Sequence, residues 1–136
     1  MARRCVSLIT DFGLAGPFAG AMKGTILRIN PEVNVVDVTH SITPGDILEA
    51  AFVLSCSFRF FPDRTIHVVV VDPKVGSKRR ALLVSIENHY FLAPDNGVLS
   101  YILSREEVYG VFSLTEEHFF QKPLSSTFHG RDVFAP

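Results

Sequence analysis

The sequence predicts an α/β fold, a central and largely parallel sheet flanked by helices, with one β-hairpin. Three observations predict it. Short β-branched apolar runs alternate with segments of helical spacing through the first half of the chain. The run at 65–71, Thr-Ile-His-Val-Val-Val-Val, is apolar on both faces, as a central strand covered on both sides must be. Several of these runs end in Asp, Asn or Gly, the residues that lead chains out of strands.

Each element has a local reason. Residues 6–10 form a buried strand that stops at Asp11-Phe12-Gly13. Pro17 suits the first turn of a helix, and Phe18, Met22, Ile26 and Ile29 recur at helical spacing, so they are expected to face the core. Asn30-Pro31 stops that helix, and residues 33–38 make the next strand. Pro44-Gly45-Asp46 opens a second helix with Asp46 as its N-cap. Ile47, Ala50, Ala51, Leu54 and Phe58 form its apolar stripe, and Phe61-Pro62-Asp63 ends it. After the strand at 65–71, residues 81–86 and 90–93 read as two strands joined at Glu87-Asn88-His89, a hairpin. A short helix is expected after Asn96-Gly97, and a strand at 108–112. Nothing in the chain reads as a repeat or linker, so the 136 residues form one domain.

Composition narrows the function classes. Apolar residues make up 47% and charged residues 20%, with a net charge of −1, so no basic stripe points to nucleic acid. The apolar run near the N-terminus is too short for a secretory signal or a membrane span, so neither a membrane nor secretion is expected. The two cysteines, Cys5 and Cys56, read as buried thiols rather than a disulfide framework. A reducing, cytoplasmic setting follows.

Ligands of open α/β sheets bind beyond the carboxyl ends of the strands. Asp11, then Asp37 and His40, then Asp72, then Asp95-Asn96 all follow apolar runs, and this series predicts a site at that edge. Asp11-Phe12-Gly13 and His129-Gly130-Arg131-Asp132 resemble kinase motifs, but the Gly-rich loop and strand lysine are missing and the order is reversed. Gly20 and Gly24 lack dinucleotide-fingerprint spacing, and the histidines lack zinc-motif spacing. His67, inside an apolar strand, reads as structural, and His89 and His118 as exposed. A metal-dependent phosphoesterase built from Asp11, Asp37, His40 and Asp95 is an alternative reading of the same strand ends.

In order, the chain carries Leu8-Ile9-Thr10-Asp11-Phe12-Gly13, Met22-Lys23-Gly24, Val36-Asp37-Val38-Thr39-His40, Val70-Val71-Asp72-Pro73, Val75-Gly76, Arg79-Arg80, Ala93-Pro94-Asp95-Asn96-Gly97-Val98-Leu99 and the segment 126–136. This series resembles the S-adenosylmethionine hydroxide adenosyltransferases, or S-adenosylmethionine hydrolases, relatives of the fluorinase and chlorinase. The resemblance implies cleavage of S-adenosyl-L-methionine to adenosine and L-methionine, with water attacking the ribose C5′ carbon. It implies no cofactor and no metal, S-adenosyl-L-methionine itself being the substrate. By motif, an acid-guanidinium-imidazole triad falls on Asp72, Arg79 and His129, although Arg80 is an equally adjacent arginine. Asp11 falls on the carboxylate that holds the ribose hydroxyls, and Phe12, Asp95 and Asn96 on substrate-binding positions. Gly130 falls where the backbone approaches the nucleophile, a serine in the fluorinase. The compact stretch between Arg80 and Pro94 lacks the insertion of the halogenases, which favours water over halide.

The residue types suit that chemistry. A sulfonium is a permanent cation, so attack by a hydroxide-like oxygen cancels charge, which a dry pocket favours. Either Asp72 or His129 could accept the water's proton, and Arg79 would hold the carboxylate ionised. Asp37 and His40 could instead stabilise the fold by hydrogen bonds. Three positions depart from the family pattern. Lys74 replaces a usual glycine, and Gly16 and Phe18 stand where an Asp and a Tyr are usual. Family members continue into a small β-barrel domain and bind substrate between subunits of a homotrimer. The 136 residues therefore read as the N-terminal catalytic-type domain of a truncated chain, with an inactive adenosine-binding or assembly domain as the alternative.

Overall fold

The computed structural model describes residues 3–73, 79–120, 122 and 129–136. Among them, six strands form one sheet: β1 (Cys5–Thr10), β2 (Asn34–Thr39), β3 (Thr65–Val70), β4 (Ala81–Ser85), β5 (His89–Pro94) and β6 (Gly110–Ser113). The order across the sheet is β2-β1-β3-β5-β4-β6. β2, β1, β3 and β5 run parallel, whereas β4 is antiparallel to both β5 and β6. The parallel core is thus the expected one, and the β4–β5 hairpin with β6 makes the sheet mixed.

Helix α1 (Phe18–Ile29) and a π-helical turn, Gly130–Phe134, cover one face; α2 (Ile47–Ser57) and α3 (Ser100–Arg105) cover the other. Strand periodicity divides the core between these layers. Leu8, Val68 and Val70 pack with Met22, Ile26 and Phe134. Their chain neighbours Ile9, Val69 and Val71 pack with Leu54, Leu99 and Ile102. Each such side chain taken fully out of water contributes roughly 1.5–3 kcal/mol.

Local sequence accounts for the helix ends. Asp46 caps α2, its carboxylate accepting from Glu49 N at 3.0 Å. Asn30 closes α1 with its N–H on Ile26 O at 2.9 Å, and Pro31 prevents continuation. Within α1 the buried residues are Ala19, Met22, Thr25 and Ile26. Phe18 and Ile29, expected to face the core, are 47% and 61% exposed. They share the correct arc of the helix but are its first and last residues, so they overhang the sheet.

Two further expectations are corrected. Cys56 is exposed, because it lies two residues past Leu54 and so on the outer side of α2, while Cys5 is buried in β1. His89 is buried at the start of β5, opposite Thr65 of β3, rather than exposed in the hairpin turn. There it accompanies His67, as His67 Nε2 and His89 Nδ1 lie 3.1 Å apart. Ser7 Oγ meets His67 Nδ1 at 2.6 Å, and Phe58, Phe61 and Phe91 surround the ring. Burial, with a smaller contribution from His89, pushes His67 down to about 3. No helix among the described residues is long and apolar enough to cross a membrane.

Candidate active site at the carboxyl edge of the sheet

Because β1, β2, β3 and β5 are parallel, the four polar clusters read from the sequence emerge at one edge of the sheet. From β1 the chain crosses by α1 to β2 on one side; beyond β3 it continues to β5 on the other. The crevice between the ends of β1 and β3 is therefore the topological switch point. Asp11 leaves β1 and Asp72 follows β3 at this point.

Asp72, Arg79 and His129 come together there. Arg79 Nε donates to Asp72 Oδ2 at 2.7 Å, and its Nη2 lies 2.6 Å from the same oxygen. The Asp72 side chain is 1% exposed and that of Arg79 11%. The same Nη2 lies 3.1 Å from His129 Nδ1. A guanidinium nitrogen only donates, so Nδ1 is the acceptor and the imidazole proton sits on Nε2. Arg79 thus joins the carboxylate to the ring of a residue 50 positions later. The Phe134 ring, from the same π-helical turn that follows His129, lies 5.7 Å from the Arg79 guanidinium carbon.

Arg80 points the other way. It donates from Nε and Nη2 to Asp95 Oδ2, at 3.0 and 2.7 Å, in an exposed pair. Of the two adjacent arginines, the structure brings Arg79 to Asp72. A cleft of about 320 Å³ opens beside the pair, lined by Ile47, Asp72, Pro73, Arg79, Asp95 and Asn96. Ile47, expected only in the apolar stripe of α2, and Pro73, quoted only as part of a motif, supply its apolar walls.

Of the remaining predicted residues, Asp95 and Asn96 line this cleft. Asp11 Oδ2 accepts from Gly45 N at 2.8 Å, which ties the β1 turn to the start of α2. Asn96 spends its amide on the fold. Nδ2 donates to Val71 O at 2.9 Å, and Oδ1 accepts from Val98 N at 3.2 Å. It thereby holds the end of β3 against the end of β5. Gly130 has no room for a side chain: a Cβ there would lie 3.0 Å from Phe12 Cζ and 3.2 Å from Met22 Sδ. Phe12 is thus placed beside the backbone that follows His129.

Asp37 and His40 bond to each other at 2.7 Å rather than opening toward the cleft. With Asp95 on Arg80 and Asp11 on Gly45, the four residues of the phosphoesterase reading do not converge. Among the described residues no group of three or more His, Cys, Asp or Glu side chains could hold a metal. Lys74, Val75-Gly76 and the segment 126–128 lie outside the described residues, and Gly16 is exposed.

The fold and this trio define a doubly wound α/β domain whose buried acid, guanidinium and imidazole meet at the switch point. Within that class, the chain belongs to the SAM hydroxide adenosyltransferase N-terminal domain family, whose model matches residues 6–136. It is 40% identical over 135 residues to the (R)-S-adenosyl-L-methionine hydrolase of Methanocaldococcus jannaschii, covering 96% of this chain and 50% of that protein. A fluorinase of an Actinoplanes species is 24% identical over 153 residues, covering 96% of this chain and 51% of that protein. That alignment is longer than the 136 residues present here, as extra residues in the relative require. A solved structure of an uncharacterized conserved protein from Thermotoga maritima superposes with a TM-score of 0.93 at 38% identity. It is matched over 96% of this chain and 51% of that chain. The chain spans about half the length of the curated relatives it matches.

Proposed function

We propose that this domain hydrolyses S-adenosyl-L-methionine to adenosine and L-methionine, by attack of water on the ribose C5′ carbon and without a metal. The observation that carries the reading is the Arg79 guanidinium, bonded at once to Asp72 and to His129 Nδ1 at the sheet's switch point. Family membership and the named hydrolase relative support it.

The geometry divides the roles. With its Nδ1 accepting from Arg79, His129 carries its N–H on Nε2, suited to donate to an oxygen and orient it. The proton leaving the water passes to the Asp72 carboxylate, which Arg79 fixes in direction. As the C–O bond forms, the C5′–S bond breaks and its electron pair neutralises the sulfonium. Charge is consumed in the transition state, which a site with apolar walls at Ile47 and Pro73 favours over water. General-base assistance is worth roughly 10²–10⁴-fold, and in-line positioning adds to it. In this reading Asp11 receives the ribose hydroxyls at the end of β1, supported by the Gly45 N bond that anchors one of its oxygens.

The test incubates the protein with S-adenosyl-L-methionine and measures adenosine and methionine by chromatography. Equal amounts of both are expected from the wild type, with a loss of at least about 10²-fold in Asp72→Asn. A folded wild type that binds adenosine without turnover would replace the hydrolase reading by the adenosine-binding one.

A further inference from the structure

Beside the trio, and separate from it, a chain of hydrogen bonds runs inward from the surface. Lys23 Nζ donates to Asp37 Oδ2 at 2.5 Å, and His40 Nε2 donates to Asp37 Oδ1 at 2.7 Å. His40 Nδ1 lies 2.6 Å from Thr10 Oγ1, and Phe12 N donates to that same hydroxyl at 3.2 Å. Side-chain exposure falls from about a third at Lys23 and Asp37 to 1% at His40. Thr10 is fully buried. Burial raises the Asp37 carboxyl, but the hydrogen bonds from Lys23 and His40, with the charge of Lys23, outweigh it and leave the group below its ordinary value.

The donors and acceptors fit one direction. A carboxylate only accepts, so His40 carries its proton on Nε2. In that tautomer Nδ1 accepts from the Thr10 hydroxyl, whose oxygen is left to accept from Phe12. Hydroxyl, imidazole and carboxylate are spaced as in an activated nucleophile. Thr10, however, has no surface on which to meet a substrate, so the hydroxyl serves the backbone instead.

His40 has a second hold on the same turn. Its carbonyl accepts from Gly13 N at 2.7 Å, with Gly13 at φ +72°, where glycine is favoured. The β1–β2 register slips by one residue between Leu8↔Asp37 and Ile9↔Thr39, just before His40. Such irregularities re-aim side chains at strand ends. The turn carrying Asp11 and Phe12 is therefore gripped in front through Thr10 and behind through Gly13, both by His40.

We infer that His40, with Thr10 and Asp37, is a positioning residue that clamps the Asp11–Gly13 turn so that Asp11 and Phe12 meet the nucleoside half of the substrate. The inference rests on the hydrolase reading but not on the trio's chemistry. Thr10→Val keeps the side chain's shape and removes the hydroxyl. It should raise the adenosine Kd in calorimetry, and the KM for S-adenosyl-L-methionine, by about tenfold. The effect on kcat should be smaller, since Asp72, Arg79 and His129 are untouched. Amide exchange at Phe12, read by NMR, should quicken by a similar factor, and Thr10→Ser should restore all three. If Thr10→Val does not fold, Asp37→Ala breaks the same chain at its partly exposed end and carries the same expectations. A wild type that binds adenosine, with Thr10→Val binding it equally well, overturns the positioning role alone. So does a loss that Thr10→Ser fails to rescue. A wild type that neither binds adenosine nor turns over substrate overturns the hydrolase reading, and the positioning role with it.

Discussion

Replacing Arg79 by methionine isolates the interaction on which the site is built. Asp72 is 1% exposed in its side chain, and both of the described Arg79 contacts to it converge on Oδ2, at 2.7 and 2.6 Å. Methionine keeps an unbranched side chain and removes the cation, leaving a buried carboxylate without its counter-charge. Breaking a buried pair in this way costs about 3–5 kcal/mol. The donor to His129 Nδ1 is lost as well, worth about 1 kcal/mol. Asp72→Asn with Arg79→Met removes both charges, and neutral replacements of buried pairs cost far less than single removals. The double variant is therefore expected to lose at least about 2 kcal/mol less than the sum of the singles. Interactions of either residue with third groups cancel in the cycle. Urea unfolding followed by far-UV circular dichroism gives the three free energies. Losses that add to within about 0.5 kcal/mol would show that the two side chains are energetically independent, and would refute the account of the site.

Three other outcomes are expected. His67 has a folded value of about 3, below its unfolded value, so the unfolded chain binds the extra proton and stability falls as pH drops below about 6.5. Between pH 7 and pH 4.5 this residue should cost about 3 kcal/mol, seen as a urea midpoint that falls less steeply with pH in His67→Asn. Gly130→Ser brings a Cβ to 3.0 Å from the Phe12 ring, and should lower stability by about 1 kcal/mol and shift Phe12, measurable by thermal melting and by ring-proton shifts. Asp46→Ala removes the acceptor for Glu49 N and should cost about 1 kcal/mol in thermal unfolding, with turnover unchanged.

How far the site is legible in the sequence depends on which physical rule carries each residue. Asp11, Asp72 and the pair Asp95-Asn96 follow apolar runs, and parallel strands place such ends together by construction. Their convergence on one edge is thus readable before any coordinates. Arg79 and Arg80 are a different case. Neighbours in an extended segment point to opposite faces, so one must meet Asp72 and the other must not. Nothing in the sequence says which way the segment faces. His89 departs from its expected exposure for a related reason. Glu87-Asn88-His89 has turn composition, yet the hairpin turns one residue earlier and His89 opens β5, where pairing with Thr65 buries it. Phe18, Ile29 and Cys56 show the limit of periodicity: it assigns an arc of a helix, while the extent of the sheet beneath decides which residues are covered.

The sequence by itself determined the alternation of strands and helices, the cap at Asp46, and the series of motifs that marks the family. All of these are local, set by side-chain period, backbone preference and residue type within a few positions. Only the tertiary structure decided that Arg79 rather than Arg80 joins Asp72, and that the proton of His129 lies on Nε2. It also paired Asp37 with His40, and His40 with Thr10, rather than with the cleft. Those outcomes depend on how distant segments face one another across the sheet, and on which groups can only donate.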